Sequence, residues 1–127
     1  MSFEADIVTY LEAHPGLAAL ISDRIYVGRI DDANSEADCL VYQVIGGGRE
    51  LHMADYVEAR VLFGSWSKSF THAVAIDTQL RAALEGYHGM MGTTHVRVMT
   101  EPGGDDFEEA TGWCRRKRYA RPVYRQA

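Results

Sequence analysis

The segment at residues 69–85 constrains the fold most, because it is long and amphipathic and has strand-like sequence on both sides. Ser69 stands where a helix N-cap is expected and Gly86 where a C-cap is expected, so the sequence predicts a helix between them. The apolar stripe expected on this helix consists of Phe70, Val74, Ile76, Leu80 and Leu84. A stripe of this width predicts a helix that packs on a sheet.

Strand-like segments surround this helix. They lie at residues 24–30, 39–45, 57–66, 94–100 and 113–125. In the fourth segment, Val96 and Val98 lie on one face of the predicted strand, and His95, Arg97 and Met99 lie on the other. A helix ending near His14 and a short helical segment at 16–21 precede the strands. A polar loop is expected at 31–38.

The element order α-β-β-β-α-β-β contains no repeated βαβ unit, and the links in its second half have hairpin length. This order predicts an α+β domain with a mostly antiparallel sheet and two main helices packed on one face. The 127 residues, of which 46% are apolar and 24% charged, match a single domain over residues 1–127.

Composition argues against several classes of protein. Cys39 and Cys114 form no CxxC pair and have no histidine at ligand spacing, which favours reduced cysteines over a disulfide or zinc site. The five histidines are scattered, so no metal and no cofactor is predicted. The N-terminus is acidic where a signal peptide is basic, and no apolar run has membrane-spanning length. We therefore expect a soluble protein made in the cytoplasm, without a membrane partner.

The last predicted strand is strongly basic. It holds six of the thirteen Lys/Arg residues, Arg115, Arg116, Lys117, Arg118, Arg121 and Arg125. The other seven, with all eighteen Asp/Glu, give residues 1–114 a net charge of −11. The basic strand could contact nucleic acid, or it could contact an acidic surface on another subunit.

The geometry of a strand weakens the nucleic-acid interpretation. Consecutive cations point alternately to opposite faces, so Arg115 and Lys117 lie on one face and Arg116 and Arg118 on the other. The acidic remainder of the chain also repels phosphate. An acidic turn is predicted just before the strand, and its acids are candidate partners in the same or a neighbouring subunit. These acids are Asp105, Asp106, Glu108 and Glu109.

Two other motifs are candidate sites. The run Gly46, Gly47, Gly48 and Arg49 lacks the GK[ST] sequence and following helix of a phosphate-binding loop, so we expect a mobile hairpin tip that contacts a partner. Cys114 lies among arginines that could lower its pKa, but a catalytic thiol also needs a positioned base. No catalytic residue is assigned.

Several segments together resemble a known family. They are GLAALISDRIY at 16–26, LVYQ at 40–43, RVLFGSW at 60–66, LRAAL at 80–84, and EEATGW at 108–113 leading to VYR at 123–125. In this order they resemble the tail completion, or tail terminator, proteins of long-tailed bacteriophages and phage-derived particles. The resemblance covers nearly the whole chain and rests on packing residues. The final strand departs from it, being unusually basic and containing Pro122, which suggests a sheet edge or a bend.

The resemblance implies a structural virion protein without enzymatic activity. Such a subunit forms a hexameric ring on the tail tube protein, ends tube growth and meets a neck or stopper protein, while genome DNA passes through the channel without specific binding. Its place is the tail–neck junction of the virion. We expect surplus acids to line the channel and the basic strand to meet a neighbour, so that reversing the charges of Arg116 and Arg118 would abolish assembly.

Other functions stay open from the sequence. A stopper or tube-like ring of the same neck is the nearest alternative, and a nucleic-acid-binding module using the basic strand is another. Salt-dependent retention of DNA would favour the module. Selective alkylation of Cys114 near neutral pH would favour an enzyme.

Overall fold

The computed structural model describes residues 3–22, 24–27, 38–50, 53–92 and 94–125. Within them the chain forms three helices and six strands, which confirms the predicted α+β class. The elements are α1 (Phe3–Glu12), α2 (Pro15–Ile21), β1 (Ile25–Val27), β2 (Cys39–Glu50), β3 (Met53–Ser67), α3 (Phe70–Leu84), β4 (His88–Met91), β5 (Thr94–Glu108) and β6 (Trp113–Arg125). No helix in this part of the chain is both long enough and apolar enough to span a membrane.

The strands form one curled sheet in the order β1-β2-β3-β6-β5-β4. Every neighbouring pair is antiparallel except β1 and β2, which run parallel. β3 and β6 occupy the centre because the two long hairpins, β2–β3 and β5–β6, lie side by side. Antiparallel neighbours need only a short connection, whereas α3 connects β3 to β4 at the far edge, beyond β6 and β5.

The helices pack on one face of this sheet and enclose the core. From α3, Ile76, Leu80 and Leu84 are fully buried, and from β5, Val96 and Val98 meet them, as predicted. α1 and α2 add more apolar side chains to the same cluster. These are Ile7, Leu11, Leu17 and Ile21. Removing this apolar surface from water is the main force that holds the helices on the sheet.

The structure places the ends of α3 where they were predicted, but it corrects the roles of Phe70 and Ser69 at its N-terminus. Phe70 remains 48% exposed, because it is the first residue of the helix and its ring lies near the Arg116 guanidinium, 5.5 Å from the ring centre, instead of in the core. Ser69 makes no capping bond through its own side chain; its backbone N–H donates to Ser67 Oγ at 3.0 Å. Gly86 has a φ of 71°, as expected after a helix C-terminus.

The strands also extend further than their periodicity predicted. β4 was not predicted at all. The acidic segment at 101–108 belongs to β5 and pairs with β6, and the turn lies at 109–112, so the predicted turn at 101–109 was wrong. A β-bulge between Pro102 and Gly104 hides the alternation there, which explains the error. The predicted loop at 31–38 and the end of the strand at 28–30 lie outside the described residues, apart from Asp38.

Candidate interaction surface

The basic strand β6 lies inside the sheet, between β3 and β5. The suggestion that Pro122 marks an edge was therefore wrong. Register pairs between β3 and β6 stop at Glu58 with Val123 and resume at Val61 with Ala120. Proline has no N–H to donate, so the ladder is interrupted beside Pro122 while the strand continues.

The cations of β6 alternate between two faces, as strand geometry predicted. Arg116 and Arg118 point toward α3, where Arg118 meets Asp77 and Arg116 lies over Phe70. Arg115 lies on the opposite, open face of the sheet, where its guanidinium is 5.1 Å from the ring centre of Trp66. The positive charge of β6 is thus divided between two environments.

Two acids of β5 neutralise much of this charge within the same subunit. The register places Asp105 opposite Arg116 and Asp106 opposite Arg115. Arg116 donates to both carboxylate oxygens of Asp105, from Nε at 2.9 Å and from Nη2 at 3.1 Å. Arg115 donates from Nε to Asp106 at 3.0 Å, and Lys117 Nζ lies 3.6 Å from the same carboxylate. Arg115, Arg116 and Lys117 are therefore paired with these two acids in cis.

The contacts between β5 and β6 also shift the pKa values of Asp106 and Arg116. The hydrogen bond from Arg115 holds the pKa of Asp106 below its ordinary value, with the charges of Arg115 and Lys117 acting in the same direction. The hydrogen bond to Asp105 raises the pKa of Arg116. The charged forms of Asp106 and Arg116 are therefore each favoured by a partner on the neighbouring strand.

Arg118 is buried and is held by an acid that the sequence reading had missed. Its Nε and Nη2 donate to the two carboxylate oxygens of Asp77 on α3, both at 2.9 Å, and its Nη1 donates to Thr100 at 3.2 Å. Only 7% of Arg118 and 4% of Asp77 is exposed. The sequence signal for this pair was the position of Asp77: it follows the core residue Ile76 and lies on the buried side of α3, where an acid needs a cation as partner. Arg118 is thus an internal residue, unavailable to a partner.

The remaining predicted interface residues are more exposed. Arg121 lies 3.6 Å from Glu101 on the open face, with about half of each side chain exposed. Glu108 and Glu109 are exposed at the β5–β6 turn. Arg125 is the last residue of β6 and pairs in register with Tyr56, but its side chain lies outside the described part. The assignment of these residues to an interface stays a prediction.

Two tryptophans and two basic side chains cluster at the end of the sheet where β6 begins, and this cluster was not predicted. The rings of Trp66 and Trp113 lie edge to face, 6.1 Å apart. Lys68 Nζ lies 4.9 Å from the ring centre of Trp113, and Arg115 covers Trp66. Such cation–π contacts fix long basic side chains in place. They lie at the start of β6, next to the exposed turn.

The triple glycine does not form the hairpin tip. Gly46, Gly47, Gly48 and Arg49 pair in register with residues 60 to 57 of β3, and the two strands extend to Glu50 and Met53. The turn therefore lies a few residues later than predicted. A β-bulge at Ile45, next to the glycines, obscured the alternation that would have continued the strand.

The described residues assemble no recognisable catalytic or metal centre. Cys114 is 8% exposed and Cys39 is 1% exposed, and burial raises the pKa of Cys39 to about 11. Burial makes both thiols poorly accessible, and the raised pKa of Cys39 disfavours its nucleophilic thiolate. No group of three or more potential metal ligands occurs in the part of the chain that the structure describes.

The fold of the chain resembles that of a solved virion structure. No protein-family model and no curated protein sequence matches the chain. It shares its fold with a chain from the virion of a native gene transfer agent (GTA) particle. The TM-score is 0.74 at 14% sequence identity, and the match covers 98% of this chain and 95% of that chain. At this identity the likeness establishes the fold.

Proposed function

We propose that this protein is a structural subunit of a phage-like virion that forms the ring on the end of the tail tube. The ring ends tube growth and joins the tail to the neck. The observation that carries the proposal is the correspondence over 98% of the chain with a virion protein of a gene transfer agent. The resemblance of residues 16–26, 60–66 and 108–113 to tail terminators supports the same role.

The charges of β6 support an assembly role over nucleic-acid binding. Arg115, Arg116 and Lys117 are already matched by Asp105 and Asp106 within the subunit. A cation that is already paired releases few counterions when it meets a phosphate, so it adds little affinity for DNA. A ring with such a surface lets the genome pass without holding it.

The oligomeric state of the purified protein tests the proposal. Native mass spectrometry and negative-stain microscopy should show six copies in a closed ring, with or without the cognate tail tube protein as a template. Tubes polymerised from that tube protein should stop growing when the ring is added. Rings that leave tube growth unchanged would assign the protein to another ring of the neck. A monomer in both conditions would contradict the proposal.

A further inference from the structure

The face of the sheet opposite the helices contains a hollow of about 490 Å³, which we call the open-face groove. It lies where β3, β6 and β5 run side by side. Its apolar lining consists of Met99, Tyr119 and Val123, and Met99 is 61% exposed. Along the strands these side chains alternate with the buried residues Val98 and Ala120, which face the helices. A concave surface with exposed apolar side chains is typical of a binding site.

Two arginines at this groove have no acidic partner. Arg97 lines the groove, and Arg60 lines a smaller hollow that adjoins it. Both side chains are exposed, and within the described part of the chain neither takes part in an ion pair. Arg121 lies 3.6 Å from Glu101, and Glu58 is the other acid in the lining. The two hollows therefore hold more cations than acids, which favours an anionic partner.

The turn between β5 and β6 has the opposite character. Glu108 and Glu109 are exposed there, and neither carboxylate forms an ion pair with another described residue. Phe107, the residue before them, is 63% exposed. The backbone N–H of Gly112 donates to the carbonyl oxygen of Glu108 at 2.8 Å, which gives the turn a defined shape. The turn thus presents two unpaired carboxylates beside an exposed aromatic ring.

The turn cannot occupy the groove of its own subunit. Glu108 pairs in register with Trp113, whereas the groove contains Tyr119 of the same strand, six positions later. At about 3.3 Å per residue, the two positions lie roughly 20 Å apart along a continuous strand. A contact between turn and groove therefore joins two subunits. Because the two surfaces differ, the association is head-to-tail and can repeat until it closes into a ring.

We propose that the β5–β6 turn of one subunit docks in the open-face groove of the next. The inference rests on the proposed ring and identifies the contact that closes it. Arg60 and Arg97 supply the cations that Glu108 and Glu109 lack within their own subunit, and the apolar lining covers the ring of Phe107. Arginine and aromatic side chains that lose water together are typical of the residues that dominate binding energy at an interface.

A second copy of the chain suits the groove better than DNA does. DNA presents a continuous row of phosphates, and the two acids of the lining, Glu58 and Glu101, would repel it. Phosphates also leave the exposed side chain of Met99 without an apolar partner. The turn matches both parts of the groove, since its carboxylates meet the arginines and its aromatic ring meets the apolar lining.

Exchange of charges between the two surfaces tests the contact. The groove variant, Arg60→Glu with Arg97→Glu, and the turn variant, Glu108→Arg with Glu109→Arg, should each lose the rings that the unmodified protein shows in native mass spectrometry. The variant with all four changes has the original net charge of −5 and opposite signs across the contact, so it should form rings again. Arg81→Glu is the matched control and should keep its rings, because Arg81 is exposed on α3, away from the groove.

A photo-crosslink locates the contact independently. p-Benzoylphenylalanine in place of Phe107 should react, in rings assembled from isotope-labelled and unlabelled subunits, with residues 94–101 or 117–125 of a neighbouring subunit. Mass spectrometry of the digested product identifies the two joined peptides and shows that they come from different subunits. The same amino acid in place of Val27 is the control, because Val27 is similarly exposed but lies on β1 at the far edge of the sheet. It should give no product with either segment.

The outcomes separate the docking contact from the ring. Rings formed by the groove variant or by the turn variant would overturn the contact and leave the proposed function standing. Crosslinks from position 107 to the tail tube protein or to DNA alone would do the same. Where Arg81→Glu also loses its rings, or the variant with all four changes forms none, the crosslink decides: a product within 94–101 or 117–125 supports the contact, and any other result overturns it. Absence of rings from the unmodified protein, alone and with the tube protein, would overturn both proposals.

Discussion

Arg118 and Asp77 form a buried ion pair that joins the centre of the sheet to α3. Both oxygens of the carboxylate accept hydrogen bonds from the guanidinium, so neither charge is left without a partner. Reversing Arg118 to glutamate would place a second acid beside Asp77 and disrupt the fold itself. The charge-reversal test suggested by the sequence therefore reports on folding at Arg118, and only its Arg116 half addresses assembly.

Truncation of one partner should reveal the cost of an unpaired buried charge. We expect Arg118→Ala to lower the free energy of unfolding by about 3–5 kcal/mol, because Asp77 would then be buried without compensation. Arg121→Ala is the matched control on the same strand, and loss of its exposed pair with Glu101 should cost less than about 1 kcal/mol. Urea denaturation measures both. Equal losses in the two variants would contradict this explanation.

At the scale of elements, α3 was the most predictable part of the chain. Its 3.6-residue periodicity identified Ile76, Leu80 and Leu84 as core residues, because a helix that packs on a sheet needs such a stripe. The β5 strand was less predictable. Its acids read as a turn, because the strand and the cations that β6 places opposite them are distant in the local sequence pattern.

The end of α3 provides a test of an element boundary. Gly86 has a φ of 71°, and nothing lies within 4 Å of where its Cβ would be. Gly86→Ala should therefore destabilise the protein by about 1–2 kcal/mol through backbone strain alone, since L-residues resist this conformation. Gly86→Asn is the control and should lose less, because asparagine tolerates left-handed backbone. Thermal unfolding of the two variants measures both losses of stability. A smaller loss of stability for Gly86→Ala than for Gly86→Asn would refute this explanation.

At the scale of the whole molecule, the distribution of charge differs from the one that the linear sequence suggested. In the linear sequence, the basic strand has a net charge of +6 and residues 1–114 have a net charge of −11. Folding places Asp105 and Asp106 directly against it and buries Arg118 with Asp77. The positive end of the chain is therefore largely neutralised within the subunit, and no concentrated cationic stripe is formed by these residues.

DNA binding by the purified protein should consequently be weak. At about 150 mM salt we expect no change in the fluorescence anisotropy of a labelled duplex at micromolar protein, because non-specific binding depends on unpaired cations. Asp105→Asn with Asp106→Asn releases Arg115, Arg116 and Lys117 from their partners and should raise the affinity, most clearly at low salt. Tight binding by the unmodified protein that falls steeply with salt would instead support a nucleic-acid-binding module.

The sequence by itself determined the α+β class, the position of α3 and the alternation of cations along β6. Hydrophobic periodicity and strand geometry are local properties, so they can be read from neighbouring residues. Only the tertiary structure decided that β6 is central and which partners Arg115, Arg116, Lys117 and Arg118 meet. These depend on register between segments such as Asp105 and Arg116, or Asp77 and Arg118, which are brought together by packing of the whole chain.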